Sequence, residues 1–168
     1  SEPIDQAGQV DELDKILDES QVDSWQTEHM LLWEGRIEEA FDSARRKGFN
    51  KLDKEHGMSF VNYVMLEGDP EMMKRCVSEG ASLLTTMPDG AGLLHLASYD
   101  QPEMVSFLIE QGLDVNGLTA DGRTPLHFAV DAANPECTRL LLSKGARLPE
   151  SPHDVEKLLA SIGEAVRR

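Results

Sequence analysis

The amino-acid sequence predicts an all-α solenoid of stacked helix-turn-helix units, closed by a capping helix at each end. Three observations predict it. Glycine markers recur at a nearly constant step, with Gly57, Gly90 and Gly122 spaced by 33 and 32 residues and Gly80, Gly112 and Gly145 by 32 and 33. Pro70, Pro102 and Pro135 keep the same step, each inside a polar-Pro-acidic triplet: Asp69-Pro70-Glu71, Gln101-Pro102-Glu103 and Asn134-Pro135-Glu136. Between the markers, apolar residues fall at helical spacing, as in Met104, Val105, Leu108 and Ile109. A fixed period of this size marks a quasi-one-dimensional array, in which each unit leaves an apolar face for its neighbour to cover.

Taken in order, residues 1–22 form an acidic N-terminal cap, with Val10, Leu13, Ile16 and Leu17 on one face of a helix over residues 9–19. Residues 23–55 read as a degenerate first repeat. A backward step of 33 places His29, Leu31, Glu34, Gly35 and Glu38 on Asn62, Val64, Glu67, Gly68 and Glu71, and Trp33 on Leu66. The fit is imperfect, because Glu28 takes an apolar position and one extra residue precedes Gly48. Such faults suit a terminal unit whose outer face is wet. Repeats follow over residues 56–88, 89–120 and 121–149. In the middle copy Asp89-Gly90 makes a turn that uses a positive φ. A first helix follows around Leu93 to Tyr99, and Gln101-Pro102-Glu103 opens the second with a polar N-cap, Pro at its first position and an acid against the helix dipole. Gly112 ends it. Residues 150–168 form a capping helix opened by Ser151-Pro152-His153-Asp154, with Val155, Leu158, Leu159, Ile162 and Val166 as its apolar stripe.

The stretch Thr124-Pro125-Leu126-His127-Phe128-Ala129, with Asp121-Gly122 before it and Leu140-Leu141-Leu142 and Lys144-Gly145-Ala146 after it, resembles the ankyrin repeat consensus. Gly112-Leu113-Asp114-Val115-Asn116 matches the end of another copy. The middle copy departs with Gly92-Leu93 where the family has Thr-Pro, and the copy before it departs further, with Ser59-Phe60 and with Asn62 in the histidine position. The resemblance implies a non-enzymatic module for binding other proteins, whose partners meet the turn tips and the exposed face of each first helix on the concave side. It also implies that His29, His95 and His127 are structural, each bonding the adjacent turn.

Composition narrows the function further. The chain of 168 residues carries 31 Asp plus Glu against 16 Lys plus Arg, a formal charge of −15. A surface this acidic repels phosphate backbones and anionic bilayers, which excludes nucleic acid and membrane surfaces as direct partners and favours a basic protein. Aromatic residues make up only 5%, too few for a base-stacking platform. Cys76 and Cys137 occupy different repeat positions and are too few for a disulfide framework, so both are expected reduced, as core or near-surface fillers. No stretch approaches the roughly 18–20 apolar residues of a membrane span, and the start has neither a basic nor an apolar leader region. The expected compartment is the cytoplasm, with Ser1 at the first position leaving prior removal of a leader open. No phosphate-binding loop, nucleophile elbow or HExxH motif occurs, so neither enzyme activity nor a cofactor or metal is expected. The alternative from another class is a metal-using or catalytic site built on His29, His95, His127 or Cys76.

The repeat register sorts the surface. The two positions that follow the core stretch of each first helix read Trp33, Leu66, Tyr99, Asp131 in one column and Glu34, Glu67, Asp100, Ala132 in the next. Turn positions Pro88, Asp89, Asp121 and Arg123 extend them. An apolar stripe beside an acidic one suits a basic, partly hydrophobic segment, since apolar anchors supply affinity and charge supplies steering. Residues 1–30 add nine acids and a single Lys, concentrating acidity at one end. The expected function is binding, and inhibition, of a basic protein partner by a module taken as monomeric. The resemblance adds an alternative, a bacterial immunity or antitoxin-type protein that neutralises a cognate toxin.

Overall fold

A computed structural model describes residues 24–166 of the chain. The acidic cap of residues 1–22 and its helix over 9–19 lie outside the described residues, as does the side chain of Val166. The described residues form nine α-helices: α1 (Gln26–Trp33) and α2 (Ile37–Lys47), α3 (Phe60–Glu67) and α4 (Pro70–Ser78), α5 (Leu93–Ala97) and α6 (Pro102–Glu110), α7 (Pro125–Asp131) and α8 (Pro135–Ser143), then α9 (Pro152–Val166). First helices pack on first helices (α1 on α3, α3 on α5, α5 on α7) and second helices on second (α4 on α6, α6 on α8), while α9 covers α7 and α8. The architecture is an all-α repeat solenoid.

The second helices start as the Pro triplets require. Pro stands at the first turn of α4, α6 and α8, where its missing N–H is not needed. Asp69 caps α4 by accepting from the amides of Glu71 (2.9 Å) and Met72 (3.4 Å), and Asn134 caps α8 by accepting from Cys137 (2.9 Å). Gln101 departs from this pattern. Its side chain is one methylene longer and does not cap α6; instead its Nε2 donates to the Met65 carbonyl of the previous repeat at 3.2 Å.

The first helices start on a shared device. The amides of Ser59, Gly92 and Thr124 donate to Asn62 Oδ1 (3.0 Å), His95 Nδ1 (3.1 Å) and His127 Nδ1 (3.0 Å), each three residues on. His95 Nε2 also lies 2.9 Å from the Gly117 carbonyl and 3.1 Å from that of Arg123, which ties the third repeat to the next turn. His29 does not take this role. Helix α1 begins one residue earlier than the 33-residue step places it, so Glu28 occupies the third position. His29 instead packs at a tilt against Tyr63, with ring centroids 5.2 Å apart, and sits 3.5 Å from Glu67.

Burial of His95 pushes its pKa down from 6.5, outweighing the two carbonyls that favour its charged form. A depressed pKa means that the unfolded chain takes up the proton first. The neutral ring's contribution is complete above about pH 6.5 and is lost as pH falls through the folded value. The urea midpoint is therefore expected to fall between pH 7 and 5, and His95→Asn, which keeps the acceptor of the first-turn bond as Asn62 does, is expected to flatten that slope.

The core runs the length of the stack. An aromatic cluster of Trp25, Phe41, Phe49 and Phe60 fills the first joint, with Phe41 edge-on to Phe60 at 5.3 Å. Val61, Met65 and Cys76, then Leu94, Met104 and Leu108, then Leu126, Cys137 and Leu141 continue it to Leu158 of α9. Leu159, placed in the apolar stripe of α9 by the sequence, is exposed instead, since adjacent residues on a helix point about 100° apart and Leu158 holds the inward position. Both cysteines are free and buried, and burial pushes their thiols up to about 12 for Cys76 and about 11 for Cys137. The thiolate, the reactive form, is thereby disfavoured. Across the first joint Arg75 makes a bidentate pair with Glu38 (2.7 and 2.8 Å), lies over Phe41 at 4.1 Å and reaches Glu79 at 3.1 Å, and Arg45 grips Glu79 from α2.

Side-chain amides also bridge two of the joints between turn loops. Asn50 accepts from the Ser82 amide at 2.7 Å, and Asn116 accepts from the Arg147 amide at 2.8 Å while donating to the Gly145 carbonyl at 3.2 Å. Asn116 stands four residues past Gly112; four residues past Gly80, at the middle joint, stands Leu84, 83% exposed. Leu84→Asn places a carboxamide at the register where Asn116 bridges and removes little buried apolar surface. It is expected to raise stability by about 0.5–1.5 kcal/mol, the net worth of a hydrogen bond. A urea melt reads the gain.

Candidate functional site

The outward column of the first helices follows from burial one residue earlier. Leu32, Met65 and Ser98 point into the stack, so Trp33, Leu66 and Tyr99 point away and are 79%, 62% and 40% exposed. Met30, one turn before Trp33, is exposed too and widens the apolar area at the N-terminal end. Beside this column, Glu34 and Asp100 are exposed and Glu67 is partly covered. Two of the three acids have local partners: Glu34 lies 3.3 Å from Arg36, and Glu67 is the residue that His29 approaches.

At the other end the structure gathers Tyr99, Arg123 and Asp131 around Phe128. The Tyr99 ring meets Phe128 edge-on at 5.2 Å, the Arg123 guanidinium lies 4.6 Å from the same ring, and Arg123 pairs with Asp131. Lys157 of α9 reaches Asp131 at 3.5 Å. The acidic residue at the end of the column is thus matched by two cations, and the stripe changes from acidic over α1–α5 to mixed over α7–α9. Neither Phe128 nor Lys157 is among the surface residues read from the sequence, where Phe128 enters only as part of the Thr124-Pro125-Leu126-His127-Phe128-Ala129 stretch. Phe128 continues a column of Met30, Tyr63 and Leu96 one helical turn before the outward one, a periodic signal that could have found it. Lys157 lies beyond the repeats, and periodicity holds no signal for it.

The turn positions are placed as follows. Pro88 and Asp89 are exposed; the Asp89 carboxylate accepts from the Ala91 amide at 2.9 Å, and its carbonyl accepts from the Ala120 amide of the next turn at 2.9 Å. Asp121, also exposed, takes a hydrogen bond from the Thr119 hydroxyl, which holds its carboxyl below the usual range. Arg123 belongs to the Phe128 cluster rather than to the turn tip.

A second polar cluster joins the first turn to α3. The Tyr63 hydroxyl donates to buried Asp53 at 2.6 Å, and the amides of His56 (2.7 Å) and Met58 (3.4 Å) donate to the other carboxylate oxygen. Burial opposes the Asp53 charge, yet these donors outweigh it and its pKa falls; burial and the Asp53 charge push the Tyr63 phenol upward. These bonds fasten the turn over residues 53–58 to α3. Among the described residues no group of three or more His, Cys, Asp or Glu is placed to hold a metal ion, and no helix is long and apolar enough to cross a membrane.

Comparison with known proteins agrees with this geometry. The family profile for ankyrin repeats, in three copies, matches residues 61–151, more than half of the chain. Ankyrin repeat domain-containing protein oryK of Aspergillus oryzae is 46% identical over 61 residues, covering 36% of this chain and 10% of that protein. Protein phosphatase 1 regulatory subunit 27 of Homo sapiens is 35% identical over 89 residues, covering 52% of this chain and 57% of its own length. E3 ubiquitin-protein ligase KEG of Arabidopsis thaliana is 34% identical over 100 residues, covering 52% of this chain and 6% of that protein. The chain thus spans little more than half of the second relative and a tenth or less of the other two. The periodic glycines, the first-turn bonds of Asn62, His95 and His127, and the matched span together carry one conclusion: this chain belongs to the ankyrin repeat family.

Proposed function

We propose that the chain is a non-enzymatic module that binds a basic, partly apolar segment of another protein across the face of its first helices and its acidic N-terminal end. The observation that carries this reading is the exposed column of Trp33, Leu66 and Tyr99 with Glu34, Glu67 and Asp100 beside it. Ankyrin-repeat arrays are protein–protein interaction modules, and the human relative bears the name of a regulatory subunit, consistent with work done by binding. Aromatic anchors with an acidic border suit a basic partner, since apolar groups slow dissociation and charge speeds encounter. The sharper form is an inhibitor that covers the basic site of its partner, of the immunity or antitoxin kind, for which the acidic excess is the supporting feature.

The test is the triple reversal Glu34→Lys, Glu67→Lys, Asp100→Lys. A partner captured from the native cell is expected to be basic, to associate at least about tenfold more slowly with this variant at low salt, and to lose most of its salt dependence. Helicity is expected to stay unchanged. An acidic partner, or association kinetics that ignore all three reversals, sinks the reading.

A further inference from the structure

Three clefts separate successive turn loops, and the middle one differs from the others. The first contains Asn50, Ser59 and Ser82 with Leu52 and Leu84, and the last contains Asn116, Thr124, Arg147 and Glu150 with Leu118 and Leu148; each holds one of the bridging amides. The middle cleft, about 190 Å³, shares Leu84, Thr85 and Thr86 with the first and Leu118 with the last and adds Leu83, Leu93, Leu94 and Leu113, so that six leucines meet there beside the two threonines and His95, with Leu84 standing at the register of Asn116. Two of these leucines, Leu84 and Leu118, are 83% and 65% exposed at its mouth. Large apolar side chains left in water around a concave slot are a recognised mark of a binding site. The rim carries charge of one sign. Asp114 lines the cleft, and exposed Asp89 adjoins Gly90, which also lines it.

From this geometry we infer a second docking point, separate from the first-helix face: the middle cleft takes one large apolar side chain from an extended partner segment in which that residue is flanked by Lys or Arg. The leucines desolvate the inserted side chain. Asp114 and Asp89 select the basic flanks, since charge complementarity at a rim sets encounter rate and discriminates against acidic segments. Among the described residues no side-chain amide bridges the two turn loops at this joint, so Leu84 stands at the mouth where Asn116 stands in the last cleft.

The experiment uses a displayed library of random nine-residue peptides, selected against the full chain. Enriched peptides are expected to share a Leu, Ile, Phe or Met beside Lys or Arg, and a synthetic copy of the leading peptide is expected to shift the methyl resonances of Leu84 and Leu118. Leu84→Asp with Leu118→Asp is expected to weaken that peptide at least tenfold, while Leu52→Asp and Leu148→Asp, at exposed leucines of the outer clefts, leave it within twofold. Leu84→Met with Leu118→Met, which keeps the cleft apolar, is expected to retain binding. The triple charge reversal on the first helices is expected to leave the affinity within threefold, which separates this site from the first-helix face. Failure to enrich any peptide, enrichment of acidic ones, or binding that survives both Asp substitutions overturns the inference.

Discussion

Leu126→Ala is expected to lower the free energy of unfolding by about 2–5 kcal/mol. Leu126 is fully buried in the first turn of α7, in the continuous core between α5 and the α8–α9 pair. Truncation removes the transfer free energy of the deleted carbons and leaves a cavity that two rigid helical layers cannot close. In a one-dimensional array the loss also falls on one interface, so the fourth repeat and α9 are expected to open before the first two repeats. A urea melt followed by Trp25 and Trp33 fluorescence together with circular dichroism reads this directly. The tryptophans report the first repeat, so their transition is expected to lag the helical one in the variant. Leu94→Ala, at the same position one repeat earlier, should cost a similar amount and draw the transitions closer together. As a control, exposed Leu118→Ala is expected to change stability by no more than about 0.5 kcal/mol. A near-zero loss at both Leu94 and Leu126 would mean that the repeat register is misassigned.

That register was legible because the physics behind it is local. A glycine at positive φ ends a helix whatever surrounds it, as at Gly80, Gly112 and Gly145, and Pro at a helix start needs no partner elsewhere. The outward column was legible for the same reason, since the phase of one amphipathic helix fixes which residue points away. What stayed hidden depends on neighbours. Gln101 carries the sequence signature of an N-cap, but a carbonyl on the preceding repeat draws its amide away. His29 matches the histidine column in sequence and loses the role to a one-residue shift in where α1 begins. Asp131 reads as an exposed acid until Arg123 folds over Phe128 and Lys157 arrives from α9. The middle cleft is a case of the same kind: its leucines lie on three different stretches of chain, and only stacking brings them to one slot.

Glu28 is where the sequence looked faulty, and the structure shows how the fault is accommodated. The residue stands in the column of Val61, Leu94 and Leu126 and is 1% exposed. Lys47 approaches its Oε1 at 2.6 Å, the Ser43 hydroxyl donates to the same oxygen at 2.5 Å, and buried Oε2 has no hydrogen-bond partner among the described residues. Lys47→Met is expected to cost about 3–5 kcal/mol, because it strands a carboxylate out of water, a far larger penalty than the net worth of the pair. Part of that loss comes from the other contacts of the ammonium group, which donates to the Ser24 carbonyl at 2.9 Å and lies 5.2 Å from the Trp25 ring. Glu28→Leu is expected to cost little or nothing, since it restores the apolar residue of the column and Lys47, which is partly exposed, keeps those two contacts. The double variant Glu28→Leu, Lys47→Met is expected to be at least as stable as the parent, and up to about 4 kcal/mol more so, as in other replacements of buried ion pairs by apolar residues. Urea melts of the four proteins close a double-mutant cycle, and the sign of its coupling decides the matter. If Lys47→Met costs no more in the parent than in the Glu28→Leu background, the pair carries no coupling and Glu28 must be solvated. A large positive coupling with a stable double variant locates the penalty in the stranded charge, and explains how the first described repeat can hold an acid in its core without losing the fold.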